Sequence, residues 1–209
     1  MSKAVWVLVA ILVPGMTLAD PVNSKAAKKM LFSPRGQEVV LTADPALSET
    51  EQAYVKALAE TSEFASSIGY YGAMAISPSF FKRLAADGNA AGFSGLFQIT
   101  AKYHSPGAAA NAALAACNKA RKSRDATCVI ALRVLPKRWK ARPLSLSVDA
   151  TLAFRAYRKG KGARALAMSA ATEAYAIAKG EGAGEAALAA CNAAAVKSGS
   201  PDCEVMVAD

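Results

Sequence analysis

The sequence predicts an α+β protein made of two related β-α-β-β-α-β units, each with a local disulfide from a helix to the following strand. The first observation behind this prediction is a repeat, because the six residues ALAACN occur at 113–118 and again at 187–192. A further cysteine follows each copy, so the repeat uses all four cysteines of the 209-residue chain. The second observation is that segments of alternating small and larger apolar residues, typical of strands, flank both copies in the same order.

Residues 1–19 are predicted to be a cleaved signal peptide. Lys3 precedes an apolar run at 4–13, and small residues at 17–19 match the site that a signal peptidase recognises. The alternative is a membrane anchor, but the apolar run is well short of the ~20 residues that span a bilayer. We therefore expect cleavage before Asp20 and a periplasmic or secreted mature protein.

The four cysteines are predicted to form two structural disulfides. An even number of cysteines at matching spacings in an exported protein is typical of a disulfide framework. Cys117 and Cys128 are 11 positions apart and Cys191 and Cys203 are 12 apart, which favours one local bridge within each unit. Zinc is the competing interpretation, but these spacings lack the short C-x2-4-C pattern and the chain has one histidine. We accordingly expect no metal and no cofactor.

The first unit is predicted to cover residues 20–136 and the second unit residues 137–209. A capping box at Ser48 predicts the start of the first unit's leading helix, and Ser147 is the predicted N-cap of its counterpart. Residues 79–93 are interpreted as an insertion between the two central strands of the first unit. The predicted strands lie at 38–42, 73–77, 99–102 and 128–134 in the first unit and at 143–147, 165–169, 176–179 and 203–207 in the second.

Three segments of the first unit resemble a small secreted bacterial domain of unknown function. They are YGAMAISP at 71–78, ALAACN at 113–118 and CVI at 128–130, where members of that family read YGAIA, ALxxC and a cysteine that starts an apolar strand. The chain as a whole, from MLFSPRGQEVVLT at 30–42 to the CEVMVAD tail at 203–209, also resembles a family of exported alphaproteobacterial proteins often labelled 5-aminolevulic acid synthase. The second resemblance covers nearly all of the predicted mature chain, and it carries no catalytic residue over to this sequence.

Two enzyme functions compete with a binding role. The 5-aminolevulinate synthase activity that the family label implies requires pyridoxal phosphate and a lysine that forms a Schiff base with it. The predicted export, and lysines that lie mostly in charged, loop-like segments, favour a different function. A cell-wall lytic activity is the other candidate, because SGLFQIT at 94–100 resembles the GLMQI stretch of lytic transglycosylases and Glu63 would be the acid. Glu63 and Gly95 are 32 positions apart with a predicted strand between them, which argues against this site.

His104, the only histidine of the chain, is interpreted as a surface residue in the loop before the first ALAACN helix. A Ser-His-Asp triad would need this ring as its base, and the adjacent Ser105 cannot easily reach it. The sequence therefore predicts no catalytic site at His104. We expect a non-enzymatic binding or envelope-associated protein.

Positive charge is concentrated in residues 119–164. This stretch has 14 lysines and arginines against Asp125 and Asp149, whereas the whole chain has a net charge of +9. One interpretation is a solvated face, and the other is a surface for an anionic envelope component such as a lipid headgroup, lipopolysaccharide or an acidic polymer. Export argues against nucleic acid, while the sequence does not predict the oligomeric state. The candidate anion-binding residues are Lys137, Arg138, Lys140, Arg142, Arg155, Arg158, Lys159, Lys161 and Arg164.

Overall fold

The computed structural model describes residues 20–61, 64, 67–89 and 91–209, so the predicted signal peptide and Glu63 lie outside the described residues. Within them the protein mixes helices with two antiparallel sheets, as the sequence predicts at this coarse level. The helices are α1 Ser24–Met30, α2 Glu49–Ala59, α3 Ser79–Asp87, α4 Pro106–Ala120, α5 Val148–Tyr157 and α6 Ala183–Ala195. The strands are β1 Gln37–Leu41, β2 Gly72–Ile76, β3 Phe97–Thr100, β4 Val129–Pro136, β5 Arg164–Ser169, β6 Tyr175–Lys179 and β7 Cys203–Ala208.

The helices begin at the capping residues that the sequence supplies. Ser48 and Glu51 form a complete capping box at the start of α2. Ser105 caps α4 and is followed by Pro106, whose missing N–H costs nothing in the first turn of a helix. The Ser147 hydroxyl accepts a hydrogen bond from the first turn of α5. The predicted caps at Ser48 and Ser147 are therefore confirmed.

The first sheet has the strand order β1-β4-β2-β3, and its two faces pack against different helices. Successive side chains of a strand point to opposite faces, so β2 serves both. Met74 and Ile76 pack with residues of α2 and α3 on one face. Ala73 and Ala75 pack against α4 on the other face, where the buried side chains of the helix include Ala109 and other alanines. The small side chains on both elements let α4 lie close to the sheet.

The second sheet has the strand order β6-β5-β7 and lies between α5 and α6. Ala165 and Ala167 of β5 pack against Ala187 of α6 on one face. Leu166, between them in sequence, packs with Phe154 of α5 on the opposite face. The small side chains of β5 therefore face the alanine-rich helix α6, and its larger apolar side chains face α5.

The N-terminal segment completes this second sheet. The Val22 N–H donates to the Met206 carbonyl at 3.1 Å, and the Ala208 N–H donates to the Val22 carbonyl at 3.1 Å. In α1, Ala27 is fully buried in the same apolar cluster as the α5 side of the sheet. Residues 20–31 therefore pack on the second sheet, although the predicted first unit begins at residue 20.

The predicted strand at 143–147 is wrong. These residues pair with no described strand, and the last of them, Ser147, is the N-cap of α5. Leu144 and Leu146 alternate with serines because both leucines are buried in the α5 core. The edge of β7 that a fourth strand would need is instead bonded to Val22. The second sheet consequently has three strands, whereas the first has four.

Both predicted disulfides are present and join the end of a helix to the following strand. Cys117 bridges to Cys128 with 6.1 Å between their Cα atoms, and Cys191 bridges to Cys203 with 6.0 Å. No free cysteine remains, which confirms the pairing that the spacing predicted. A separate finding concerns the membrane: none of the described helices is both long enough and apolar enough to cross a bilayer.

Candidate anion-binding cleft

Residues 31–36, here called the strap, link α1 on the second sheet to β1 on the first. Arg142 holds the start of the strap, because its Nη1 donates to the Met30 and Leu31 carbonyls at 2.9 and 2.8 Å. The guanidinium also lies 3.6 Å from the ring centroid of Phe32, which is a close cation–π contact. At the other end, the Lys137 N–H donates to the Gly36 carbonyl at 3.2 Å.

Gly36 allows the strap to turn into β1. Its φ of +84° lies in the left-handed region that side chains disfavour. A Cβ at this position would also meet the Lys137 side chain at 3.3 Å. The glycine thus permits the close approach that sets Lys137 beside the strap.

A cleft of about 200 Å³ lies between the strap, α1 and α5. Its floor is apolar and its rim is cationic, which places two kinds of binding surface in one small space. The apolar lining consists of Leu31, Phe32, Pro34 and Phe154, and the polar lining of Lys28, Ser33, Thr151, Arg155 and Arg158.

The three cations of the cleft give it a net positive charge. Lys28, Arg155 and Arg158 are exposed, and none of them forms an ion pair with a described acidic side chain. The C-terminal ends of α1 and α5 both lie here, and each carries at most about half a negative charge from the helix dipole. Three full positive charges exceed that by about two, so part of the charge is left to attract an anion.

The buried Tyr70 lies near two of the arginines of this region. Burial raises the pKa of the Tyr70 hydroxyl, while the nearby Thr151 hydroxyl and the guanidiniums of Arg155 and Arg142 oppose the rise. Of these two guanidiniums, Arg155 lines the cleft, whereas Arg142 holds the strap.

The structure divides the nine predicted anion-binding residues into groups. Arg155 and Arg158 line the cleft. The exposed side chains outside the cleft are Lys137, Arg138, Lys140, Lys159 and Lys161. The first three of these flank Trp139, which is 39% exposed and lies just after the turn that follows β4.

Arg142 and Arg164 have structural partners and are not free for a ligand. Arg142 holds the strap as described above. Arg164 donates from Nε and Nη2 to Asp209 Oδ2 at 3.1 and 3.0 Å, and its Nη1 donates to the Gly160 carbonyl. Its guanidinium also lies 5.2 Å from the ring centroid of Tyr157. These two arginines fasten chain segments together instead of presenting charge to solvent.

Sequence reasoning missed Lys28, Ser33 and the apolar floor of the cleft. The signal available was the Lys-Lys pair in the last turn of α1, followed within a few residues by Phe32 and Pro34. That segment precedes the basic stretch at 119–164 by about ninety positions, and only the fold brings them together.

The two candidate catalytic residues of the sequence do not form a site among the described residues. Glu63 lies outside them. His104 is not on the surface, because its side chain is 1% exposed and both ring nitrogens have backbone partners. Ser105 uses its hydroxyl to cap α4. The prediction of a surface histidine is wrong because the ring bonds to Ser147 and Ala174 and packs edge-on against Tyr175, all more than forty positions away in sequence.

A larger groove of about 590 Å³ lies elsewhere, between α4 and the turns that flank β5 and α6. Its lining consists of uncharged and mostly small residues, including Ala112, Ala115, Ala170 and Gly199. It is larger than the cleft but has no charged group to orient a ligand, so the cleft is the better candidate. Among the described residues, no cluster of three or more His, Cys, Asp or Glu side chains is placed to hold a metal ion.

The chain matches no protein-family model, no curated protein and no solved structure.

Proposed function

We propose that this protein is a secreted, disulfide-stapled, non-enzymatic binding module that associates with anionic lipid headgroups of the cell envelope. The observation that carries the proposal is the cationic cleft, together with the exposed cations beside it. We call this surface the basic face and define it as Lys28, Lys137, Arg138, Lys140, Arg155, Arg158, Lys159 and Lys161.

The strap supports the idea that the two basic clusters of the sequence act together. Lys137 is bonded to its Gly36 end, whereas Arg155 and Arg158 line the cleft beside Ser33. The clusters are therefore neighbours across one short segment, although they are some twenty positions apart in sequence.

A lipid surface fits the apolar side chains on and near the basic face. Trp139 is 39% exposed among three cations, and aromatic side chains with a polar edge favour the membrane interface. Leu152 of α5 is 48% exposed and lies one turn from Arg155. Each cation near an anionic bilayer contributes about 1 kcal/mol to the free energy of membrane binding. Several cations acting together can therefore hold a protein on the bilayer without a membrane-spanning segment.

We further propose that the two halves are copies of one unit, and two matching sets of hydrogen bonds support this. The Ser77 N–H donates to the Leu96 carbonyl and the Ser169 N–H to the Ala174 carbonyl, both at 2.9 Å. The pairing of β2 with β4 shifts register after Met74, and that of β5 with β7 shifts after Leu166. The resemblance of the chain to exported bacterial proteins agrees with a role in the envelope.

The test of the proposed function is sedimentation of the mature protein with lipid vesicles. We expect binding to vesicles that contain phosphatidylglycerol and not to pure phosphatidylcholine. The binding should weaken with added salt, because exposed charges are screened over about 8 Å at physiological ionic strength. The test variant is Lys137→Gln with Arg138→Gln and Lys140→Gln, which spares the structural Arg142.

A matched control removes the same charge at the other end of β4. It changes Lys119, Lys122 and Arg124 to glutamine, all exposed and separated from Lys137 by the eight residues of β4, or roughly 26 Å. We expect the control to bind vesicles more strongly than the test variant does. Equal binding to neutral vesicles, or equal loss in the two triple variants, contradicts the proposed function.

A further inference from the structure

The cleft differs from the rest of the basic face because its charge is set directly over apolar side chains. Lys28, Arg155 and Arg158 surround an opening whose floor includes Phe32 and Phe154. A free inorganic anion would use the cations and leave the aromatic floor in contact with water. A neutral apolar molecule would use the floor and leave the cations without a partner.

We infer that the cleft is a binding site for a single amphipathic anion, which places its oxyanion among Lys28, Arg155 and Arg158 and its apolar chain on the floor. This inference rests on the proposed function, because it names the ligand class that one part of the basic face accepts. Guanidinium groups suit this task, since their planar donors match the oxygens of a phosphate or a carboxylate.

The volume of the cleft limits what can enter it. The cleft has a volume of about 200 Å³. That space holds an oxyanion and the first few carbons of a chain, and it is smaller than the ~300 Å³ at which pockets for drug-sized ligands begin. The rest of a long chain must therefore lie outside, which is compatible with a lipid that is still partly in a bilayer.

The structural role of the cleft arginines is limited to charge balance at the end of α5. Unlike Arg142 and Arg164, Arg155 and Arg158 have exposed side chains and form no ion pair with a described acidic group. They balance the partial negative charge at the C-terminal end of α5. That partial charge is about half an elementary charge and acts within the last turn, so one cation is enough to balance it. Two guanidiniums and Lys28 on one cleft exceed that need.

The test uses three soluble probes below their micelle concentrations, measured by isothermal titration calorimetry on the mature, oxidised protein. The probes are n-octyl phosphate, which has charge and chain, inorganic phosphate, which has charge alone, and octyl glucoside, which has the chain alone. We expect octyl phosphate to bind at least tenfold more tightly than either of the others. Equal affinity for octyl phosphate and inorganic phosphate overturns the inference.

Two double variants locate the binding. Arg155→Gln with Arg158→Gln should weaken octyl phosphate binding at least tenfold. The matched control, Lys119→Gln with Lys122→Gln, removes the same charge from exposed positions outside the basic face and should change the affinity less than threefold. Thermal unfolding of both variants checks that they fold, and equal weakening in the two overturns the inference.

Failure of the inference is distinguishable from failure of the proposed function. If the protein binds anionic vesicles but not octyl phosphate, the basic face binds lipid as a surface, and the inference that the cleft binds a single amphipathic anion is wrong. If octyl phosphate binds in the cleft but vesicles do not bind, the inference about the cleft stands and association with a lipid bilayer is wrong.

Discussion

The His104 imidazole accepts a hydrogen bond from the backbone N–H of Ser147 at 3.1 Å. Its other nitrogen, Nε2, donates to the Ala174 carbonyl at 3.1 Å, which fixes the neutral tautomer with the proton on Nε2. Ser147 is the N-cap of α5, and α5 forms one wall of the cleft. A single buried ring thus connects the loop before α4 with the cleft helix and with the turn before β6.

Stability should depend on the protonation of His104. Burial lowers the pKa of His104 below its ordinary value of 6.5, against the opposing effect of the Ala174 and Glu173 backbone and the Glu173 carboxylate. In the unfolded chain the ring takes up a proton as pH falls through about 6.5, whereas the folded ring resists. We therefore expect the free energy of unfolding to be nearly constant above about pH 7.5 and to fall as the pH decreases through 6.5, by at most about 1.4 kcal/mol per pH unit.

Urea unfolding at pH 7.5, 6.5, 6.0 and 5.5 measures this dependence. His104→Gln is the control, because it removes the only histidine of the chain and should make stability nearly independent of pH in this range. At pH 7.5 the variant should be less stable than the wild type by about 1–3 kcal/mol, because the buried Ser147 N–H and Ala174 carbonyl lose their hydrogen-bond partner. If the wild-type protein becomes more stable as the pH is lowered from 6.5 to 5.5, the interpretation of His104 as a buried neutral ring is wrong.

Arg142→Gln should destabilise the protein without being a direct test of ligand binding. The side chain donates twice to the strap and stacks on Phe32, and those contacts together contribute about 2–4 kcal/mol. Lys140→Gln is the matched control. Lys140 lies two positions before Arg142 and is exposed, so its substitution removes the same charge without removing a contact to the strap. Chemical unfolding compares the two variants, and equal stability would mean that Arg142 does not hold the strap.

The two disulfides should contribute similarly to stability. Each closes a loop of nearly the same length, with separations of 11 and 12 residues, and loops of this size stabilise by about 3 kcal/mol on the chain-entropy model. We expect Cys117→Ala with Cys128→Ala, and Cys191→Ala with Cys203→Ala, each to lose about that amount in guanidinium unfolding. A pair whose removal leaves the unfolding midpoint unchanged would have no stabilising role.

Local signals in the sequence were sufficient for the disulfides and helix starts. The Cys117 bridge, the caps at Ser48 and Ser147 and the alternation around Met74 all depend on residues within a few turns of one another. The strand predicted at 143–147 failed for the opposite reason. Whether its edge partner is available depends on Val22, far away in the chain, and no local pattern reports that.

The candidate site was predictable only in part. The density of positive charge pointed to Arg155 and Arg158, but also to Arg142, whose guanidinium serves the strap. Composition does not distinguish an arginine that donates to backbone carbonyls from one that faces solvent, because both occur in basic stretches. Lys28 joins the cleft through the packing of α1 on the second sheet, which depends on long-range contacts.

Asn118 and Asn192 should have corresponding structural roles at their disulfides if the two halves are copies of one unit, although Asn118 also accepts from Arg121 Nε at 3.0 Å. The Asn118 side-chain oxygen accepts from the Cys128 N–H at 3.2 Å, and the Asn192 oxygen accepts from the Cys203 N–H at 3.0 Å. Each asparagine thus supports the connection that its disulfide closes. Asn118→Ala and Asn192→Ala should each cost about 1–3 kcal/mol, because a partly buried N–H loses its acceptor. Asn111→Ala on the exposed face of α4 should cost less than about 0.5 kcal/mol. Thermal and urea unfolding of the three variants measure these losses of stability. A large loss at one of the two matched positions and none at the other would mean that the hydrogen bond at the unaffected position does not stabilise the protein. That result would count against a shared origin of the two units.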